Sequence, residues 1–455
     1  MASLSELKKW IEKHSATVRD QYFQFLRFPS ISTDPAYSKE MKKCSEWVSD
    51  FLVKKAKMKV ECIETVGYPV VYAEDLSAGP NAPTLLIYGH YDVQPVDPLE
   101  LWESDPFDPT EREGRIYARG AVDDKGQIFY AMLAIQCWKE LGRKLSINVK
   151  FCIEGEEESA SVGLAKALPQ LKEKLRADFL LVVDSGQLDS ETPAVTLGCR
   201  GIVALEVTLT GSKGDLHSGM YGGLAYNPNR ALAELIAKLW DAEGHVQVKG
   251  FYDDVVELSE SELSKYAFRF NPRSFSKEYG IEALGGERDR SPKEANCFRP
   301  TLEINGMFGG YTGAGMKTVI PAKATAKITC RLVPNQDPHK IAKQVTEFLK
   351  KNVVPGMKIQ VDFHGGDAAF SGDPDSKLAK AVVKASTEVC GKQCENVVSG
   401  GSIPIVADLS RVTGAAAVCM GYGLPTDNIH APNEHFDLGR LEKGFLTVAR
   451  ILELI

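Results

Sequence analysis

The sequence predicts an α/β protein with a central mixed, largely parallel sheet flanked by helices, interrupted by an inserted α+β unit of ferredoxin-like order. Three observations predict it. Strand-like apolar runs alternate with helical runs before residue 203, the pattern of a mainly parallel sheet. From there the order becomes strand–helix–strand–strand–helix–strand, that of a split ferredoxin-like unit. After residue 370 the alternation resumes and runs to Ile455. At about 100–200 residues per domain, 455 residues make two or three domains. We expect one of residues 1–202 with 371–455, and a second, 203–370, inserted into it.

The elements follow in chain order. An amphipathic helix spans Leu4 to about Leu26 and stops at Phe28-Pro29-Ser30, where proline cannot continue it. Thr84-Leu85-Leu86-Ile87-Tyr88 reads as a buried strand, Gln127 to Leu141 as a helix, Leu145 to Ile153 as a strand, Val162 to Leu175 as a helix and Ala177 to Val183 as a strand. In the insertion, Val203 to Thr210 alternates as a half-buried strand, and Asn227-Pro228 opens a helix to about Trp240. A polar stretch, Asp241 to Phe298, shows no clear period. Strands near Thr301–Gly306 and Ala322–Leu332, a helix from Asp337 to Lys351 and a strand Lys358–Phe363 complete the unit. Gly365-Gly366 and Ser371-Gly372-Asp373-Pro374 mark its exit, followed by a strand Ala415–Met420 and an amphipathic helix from Leu438.

Composition narrows the function classes. A 44% hydrophobic and 25% charged chain is ordinary for a globular protein, not a disordered one. With 54 Lys plus Arg against 61 Asp plus Glu, the net charge is −7, and no basic stripe suggests nucleic acid as a partner. No apolar run has the length of a membrane span, and the first residues lack the apolar core of a signal peptide. The ten cysteines are scattered without a C-x-x-C pair. Cys152, Cys330 and Cys419 lie in apolar runs, as small buried hydrophobes do. Reduced cysteines and a cytoplasmic location are the expectation.

The chemistry gathers where strand-like runs end. One ends in Gly89-His90-Tyr91-Asp92, another in Glu154-Gly155-Glu156-Glu157-Glu158-Ser159, a third in Asp184, and Arg119-Gly120-Ala121-Val122-Asp123-Asp124-Lys125-Gly126 leads into a helix. In open α/β sheets, ligands bind at the carboxyl ends of the strands, so these loops bring an imidazole and several carboxylates to one edge. In extended backbone His90 and Asp92 point to the same side. The carboxylate then accepts the imidazole's second N–H and leaves the other nitrogen for a metal. Imidazole with carboxylates and no thiolate suits Zn²⁺ or Mn²⁺, and two divalent ions balance an acidic cluster that one would leave self-repelling.

These segments resemble the dinuclear metallopeptidases that include carnosinase, the cytosolic non-specific dipeptidase and related bacterial dipeptidases. Further matching segments are Asp215-Leu216-His217-Ser218-Gly219, Lys317-Thr318-Val319-Ile320-Pro321, Arg331-Leu332-Val333-Pro334-Asn335, Gly400-Gly401-Ser402-Ile403-Pro404 and Asn428-Ile429-His430-Ala431. They stand in the family's order from residue 90 to 430. The resemblance implies that Asp123 bridges two metals, His90 and Asp184 complete one site, and Glu158 and His430 the other. It makes Asp92 the residue that orients His90, and Glu157 the general base. It implies that the insertion is a lid and dimerisation domain lending His217, and with it Thr318, to a partner subunit's site. Arg331 would hold the substrate carboxylate, with Gly400, Gly401 and Ser402 lining the pocket. Two departures, Ala160 in place of a common glycine and Ser399 in place of a glutamate, touch no implied ligand and bear on sub-family.

The expected activity is hydrolysis of dipeptides by a homodimer. The same metal chemistry on N-acyl amino acids, a deacylase or desuccinylase, is the near alternative, and a non-catalytic metal-binding scaffold the remote one. Other signals point away. Gly310-Tyr311-Thr312-Gly313-Ala314-Gly315-Met316-Lys317-Thr318 misses the phosphate-loop register by one residue, and Pro321 opposes the helix that should follow. Neither a G-x-S-x-G elbow nor H-E-x-x-H occurs. His14 reads as surface or helix packing, and His364 and His435 as structural.

Overall fold

The computed structural model describes residues 3–401 and 403–455; the expected pocket residue Ser402 lies outside them. A nine-stranded sheet forms the frame. At its centre Asn148–Glu154, Thr84–His90, Phe179–Val182 and Ala417–Met420 lie side by side and parallel. Its flanks are antiparallel: Val70–Asp75 and Lys59–Ile63 on one side, Ala194–Cys199 and Phe370–Ser371 on the other. Glu395–Ser399 pairs parallel to Ala194–Cys199.

Strand periodicity divides the core. Leu85 and Ile87 face a layer built from the helices Leu4–Leu26, Ser38–Lys54, Lys125–Glu140, Lys377–Cys390 and Leu438–Leu454. Leu86 and Tyr88 face the opposite layer, with Val162–Leu175 and Pro404–Thr413. The helix Lys125–Glu140 is buried from Lys125 to Trp138, because it lies between the sheet and the last helix. That explains its unbroken apolar run. The first helix begins at a Ser3/Glu6 capping box and ends at Leu26, as proline predicts.

The chain leaves this sheet at Arg200 and enters a four-stranded antiparallel one. Its strands lie in the order Thr301–Gly309, Lys323–Leu332, Gly201–Thr210, Lys358–Asp367. With Pro228–Ala237 and Pro338–Asn352 on one face, this is the ferredoxin-like arrangement that the element order predicts. Val203, Leu205, Val207 and Leu209 pack under those helices, and the residues between them are half-buried. The first helix is shorter than expected, stopping at Ala237, and the strand from Thr301 runs longer, to Gly309. The polar stretch holds the short helices Glu260–Leu263 and Pro272–Tyr279, and its Glu287 forms a buried ion pair at 2.7 Å with Arg299, just beyond it. The phosphate-loop-like segment is an exposed loop ahead of the short strand Val319–Ile320.

Candidate metal centre and active site

His90 is the last residue of its strand and has no exposed surface. Its Nδ1 lies 3.2 Å from Asp92 Oδ1, and its Nε2 3.2 Å from Asp123 Oδ1 and 3.8 Å from Asp184 Oδ2. Asp92 does a second job that its sequence position does not announce: its two carboxylate oxygens accept the backbone N–H groups of Glu157 and Glu158, both at 3.2 Å. One buried carboxylate therefore orients the imidazole and anchors the turn carrying the acidic pair.

Asp123 sits between two histidines. Its second oxygen, Oδ2, is 3.0 Å from His430 Nε2, and that nitrogen is 3.2 Å from Glu158 Oε1. Gln94 donates to the other oxygen of Glu158 at 2.7 Å. Two groups of metal-competent atoms result, His90 with Glu157 and Asp184, and Asp123 with Glu158 and His430; within each group the atoms lie within 4.8 Å of one another. His90 ends its strand and the other five come from turns and loops at the same carboxyl edge, where an open sheet places its ligand.

The electrostatics ask for cations. Burial pushes the Asp184 carboxyl up to about 7, with the Asp123 charge adding to it. Burial likewise raises Glu157 to about 9, opposed by His90 and assisted by Asp184 and Glu158. Asp123 goes the other way: burial opposes its ionisation, but hydrogen bonds from His430 and His90 hold its carboxyl below the usual range. The buried Oε1 of Glu158 has no hydrogen-bond partner despite its closeness to His430. A carboxylate oxygen and an imidazole nitrogen aimed into one space, without bonding each other, fit a shared divalent ion. The donors are nitrogen and oxygen only, which suits Zn²⁺ or Mn²⁺. A third histidine–carboxylate group, His245 with Glu287 and Asp289, differs because Arg299 already holds Glu287.

The expected substrate residues lie on and near the inserted sheet. His217, exposed, pairs with Val319 across a two-residue ladder. Its Nδ1 accepts the Gly219 N–H at 3.0 Å, so the ring proton sits on Nε2, pointing away from its own turn. Among the described residues His217 makes no hydrogen bond or ion pair to the six residues of the centre. The Thr318 carbonyl accepts the Ser218 N–H. Arg331 is half-buried, opposite Thr301 and Ile202. Burial and the charge of Arg331 lower the pKa of Arg200, whose Nε donates to the Gly400 carbonyl at 3.1 Å. Gly401 donates its N–H to Ser399 Oγ. His435 is structural, against Tyr117 and the Asn433 carbonyl. His14 stacks on Trp10.

Several residues of the site escape a reading of the sequence. Asp124 is buried and accepts the His90 N–H at 3.0 Å. Gly89 makes that approach possible, since a side chain there would begin 2.5 Å from Asp124 Oδ2. Arg200, within range of the Arg331 charge, donates to the Gly400 loop, and Glu434 holds the Asp123 turn. Their partners are remote in sequence, so no local spacing signals them.

The model of peptidase family M20/M25/M40 matches residues 86–454. The chain belongs to that family. Its relatives include the Cys-Gly metallodipeptidase dug1 of Schizosaccharomyces pombe, 30% identical over 97% of this chain and 96% of that protein. The Beta-Ala-His dipeptidase of Homo sapiens is 32% identical over 80% of this chain and 73% of that one. Among solved structures, the M20 family metallo-carboxypeptidase Sso-CP2 of Sulfolobus solfataricus superposes with a TM-score of 0.83 at 34% identity, covering 96% of this chain and 98% of that one. Human carnosine dipeptidase 1 superposes at 0.78 and 28% identity, covering 100% and 99%. The histidine–carboxylate edge is thus part of an M20 peptidase fold, and no described helix is long and apolar enough to cross a membrane.

Proposed function

We propose that this M20 peptidase hydrolyses the amide bond of dipeptides at a two-metal centre. The observation that carries the reading is Asp123 between His90 and His430, with Asp184 and Glu158 beside them and Glu157 alongside. His90, Asp123 and Asp184 would hold one ion, and Asp123, Glu158 and His430 the other, as Zn²⁺ or Mn²⁺. When bound, such ions supply Lewis-acid polarisation of a carbonyl and acidify water. Glu157 takes the proton of the attacking water on a carboxylate oxygen and returns it to the leaving amine. Asp92 keeps the His90 imidazole and the Glu157 turn in register. Arg331 offers two parallel donors to the substrate's free carboxylate, with Gly400, Gly401 and Ser402 around it.

Residues 203–370 act as a lid and dimerisation domain on a catalytic domain of 1–202 and 371–455. His217 donates its Nε2 proton to the developing oxyanion in the partner subunit's site, beside Thr318. The exposure of His217, with Met220, Leu224 and Met316 also exposed around it, supports an unfilled contact there. A cytoplasmic setting is supported by ten unpaired cysteines, most of them buried. The relatives named for Cys-Gly and Beta-Ala-His dipeptides support the substrate class.

The test is to strip the metals, restore Mn²⁺ or Zn²⁺ separately, and assay dipeptides, tripeptides and N-acyl amino acids side by side. Metal-dependent cleavage confined to dipeptides with a free α-amino group is expected. Preference for N-acyl amino acids would replace this reading with a deacylase.

A further inference from the structure

Glu434 lies four residues beyond His430, in a stretch that the proposed chemistry does not use. Its carboxylate is 1% exposed and is engaged on both oxygens. Oε1 accepts the backbone N–H groups of Val122 and Asp123 at 3.0 and 3.1 Å. Oε2 accepts the Gly120 N–H at 2.9 Å and Arg119 Nη1 at 2.8 Å. Arg119 is equally buried, lies over the Trp102 ring, and gives Nη2 to the Pro95 carbonyl. One side chain thus gathers three backbone N–H groups and a guanidinium of the turn that carries Asp123.

Backbone pairing explains how a residue some three hundred positions away arrives there. His435–Asp437 runs antiparallel to Arg115–Tyr117, and the Glu434 carbonyl accepts the Ala118 N–H. The segment before it is conformationally costly: Asn428, His430 and Asn433 all have left-handed backbone, at φ 56°, 60° and 62°. Asn433 is tied down by the Glu103 N–H and the Leu101 carbonyl. Glu434 then joins this loop to the Asp123 turn. The two side chains on either side of the junction, His430 and Asp123, must meet at 3.0 Å.

We propose that Glu434 is a positioning residue that locks the Asp123 turn to the His430 loop, setting the separation of the metal-binding atoms before any ion arrives. The inference rests on the two-metal part of the reading above and not on the substrate. Glu434→Gln tests it because an amide cannot replace this carboxylate. Whichever way the amide turns, its NH₂ faces two N–H donors, and two of the four bonds are lost. It also leaves Arg119 buried without its counter-charge, which can harm folding by itself. The double variant Arg119→Met/Glu434→Gln removes that charge, and its amide still loses at least one N–H of the turn, because its single oxygen serves only one side.

Metal affinity is read by chelator competition with Mn²⁺ and with Zn²⁺, without substrate. Loss of a partner behind metal ligands typically weakens affinity about 10–100-fold, and that loss is expected in both variants, whatever the double variant regains in thermal stability. At saturating metal, kcat should fall while KM stays within about twofold. Wild-type metal affinity in either folded variant overturns the proposal. A measurement on the unaltered protein covers failure to fold: hydrogen exchange at the Gly120, Val122 and Asp123 amides. Those amides should stay protected after the metals are stripped, because the lock is made of protein. Free exchange in the metal-free protein would overturn it as surely. A wild type that binds both ions but cleaves no dipeptide would instead sink the proposed function and leave the role of Glu434 standing.

Discussion

At the carboxyl edge of the large sheet, His90 and Asp92 have no exposed surface, and the turns around them are tied by Asp92, Asp124 and Glu434. At the margin of the inserted sheet, His217 stands in solvent on a two-residue ladder, with Leu224 and Met316 almost fully exposed. Backbone strain divides less sharply, since Lys57 and Glu113, in exposed turns outside both regions, also have left-handed backbone. Ala160, Ser161, Asn428, His430 and Asn433, all in loops at the metal edge, have left-handed backbone. Within 201–367 the positive-φ positions are glycines apart from Asn335. Strain persists where packing and hydrogen bonds over-determine it. The metal edge is therefore built to be rigid within one chain, and the inserted unit is built to present residues outward. A two-metal site needs fixed distances, whereas a lid of the kind proposed for residues 203–370 must be free to close.

The sharpest way to break this comparison is at Glu157. Glu157→Gln keeps size and polarity but cannot take a proton. Turnover should fall by about 10²–10⁴-fold with metal content unchanged by elemental analysis. Near-normal turnover in the metal-loaded variant would remove Glu157 as the base. If the edge is as rigid as its hydrogen bonds imply, the loss should appear in kcat and not in metal affinity.

The other half is tested at His217. His217→Ala should lower turnover by roughly 10²–10³-fold and leave both metals bound, since among the described residues His217 makes no hydrogen bond or ion pair to the centre in its own chain. Co-expressing it with Glu157→Gln should restore activity, because a mixed dimer then holds one site with both residues intact. Verified heterodimers that stay inactive would show that His217 does not act across subunits.

How much of this was legible in the sequence follows from distance along the chain. His90, Asp92, Asp123, Glu157, Glu158 and Asp184 are legible as an imidazole and carboxylates at or just past strand ends or just ahead of a helix, whereas their separate roles come only from the family resemblance. The inserted unit was readable from Val203–Thr210, whose alternation faces helices on one side only. The strand Lys59–Ile63 was not, since it pairs on one side with mixed exposure and shows no period. Ala194–Cys199 is buried throughout, and its partners come from residues 370–371, 395–399 and 417–420, so its place is decided by long-range pairing. Asp124 and Arg200 are not legible for a related reason. Each acts on a backbone group, His90 N–H or the Gly400 carbonyl, and backbone groups carry no sequence signature.

A smaller effect sharpens the substrate side. Arg331→Lys replaces a planar fork with a single point charge. Losing a hydrogen bond to a charged group costs about 1.5–3 kcal/mol, to be read as the drop in kcat/KM for a dipeptide. The matching C-terminal amide should be a poor substrate of the wild type and lose little more in the variant. Equal cleavage of acid and amide by the wild type would free Arg331 from the carboxylate.

The smallest expected effect concerns the strain itself. Ala160 follows the Glu157-Glu158-Ser159 turn with φ 73° and is exposed, so replacing it sacrifices no packing. A left-handed residue with a Cβ costs roughly 1–2 kcal/mol, which glycine relieves in the folded state. Glycine also loosens the unfolded chain, which offsets about 0.4–1 kcal/mol of that gain. Ala160→Gly should therefore raise the unfolding free energy of the metal-free protein by up to about 1.6 kcal/mol, measured by denaturant titration. The turn is also held by the Asp92 carboxylate and by the Ser161 hydroxyl on Glu154 at 3.0 Å. Relief at one residue should thus leave kcat within about twofold of wild type. A stability gain with a large fall in kcat would mean that the strained turn, and not Asp92, sets the placement of Glu157, and the metal edge would then be less rigid than its hydrogen bonds suggest.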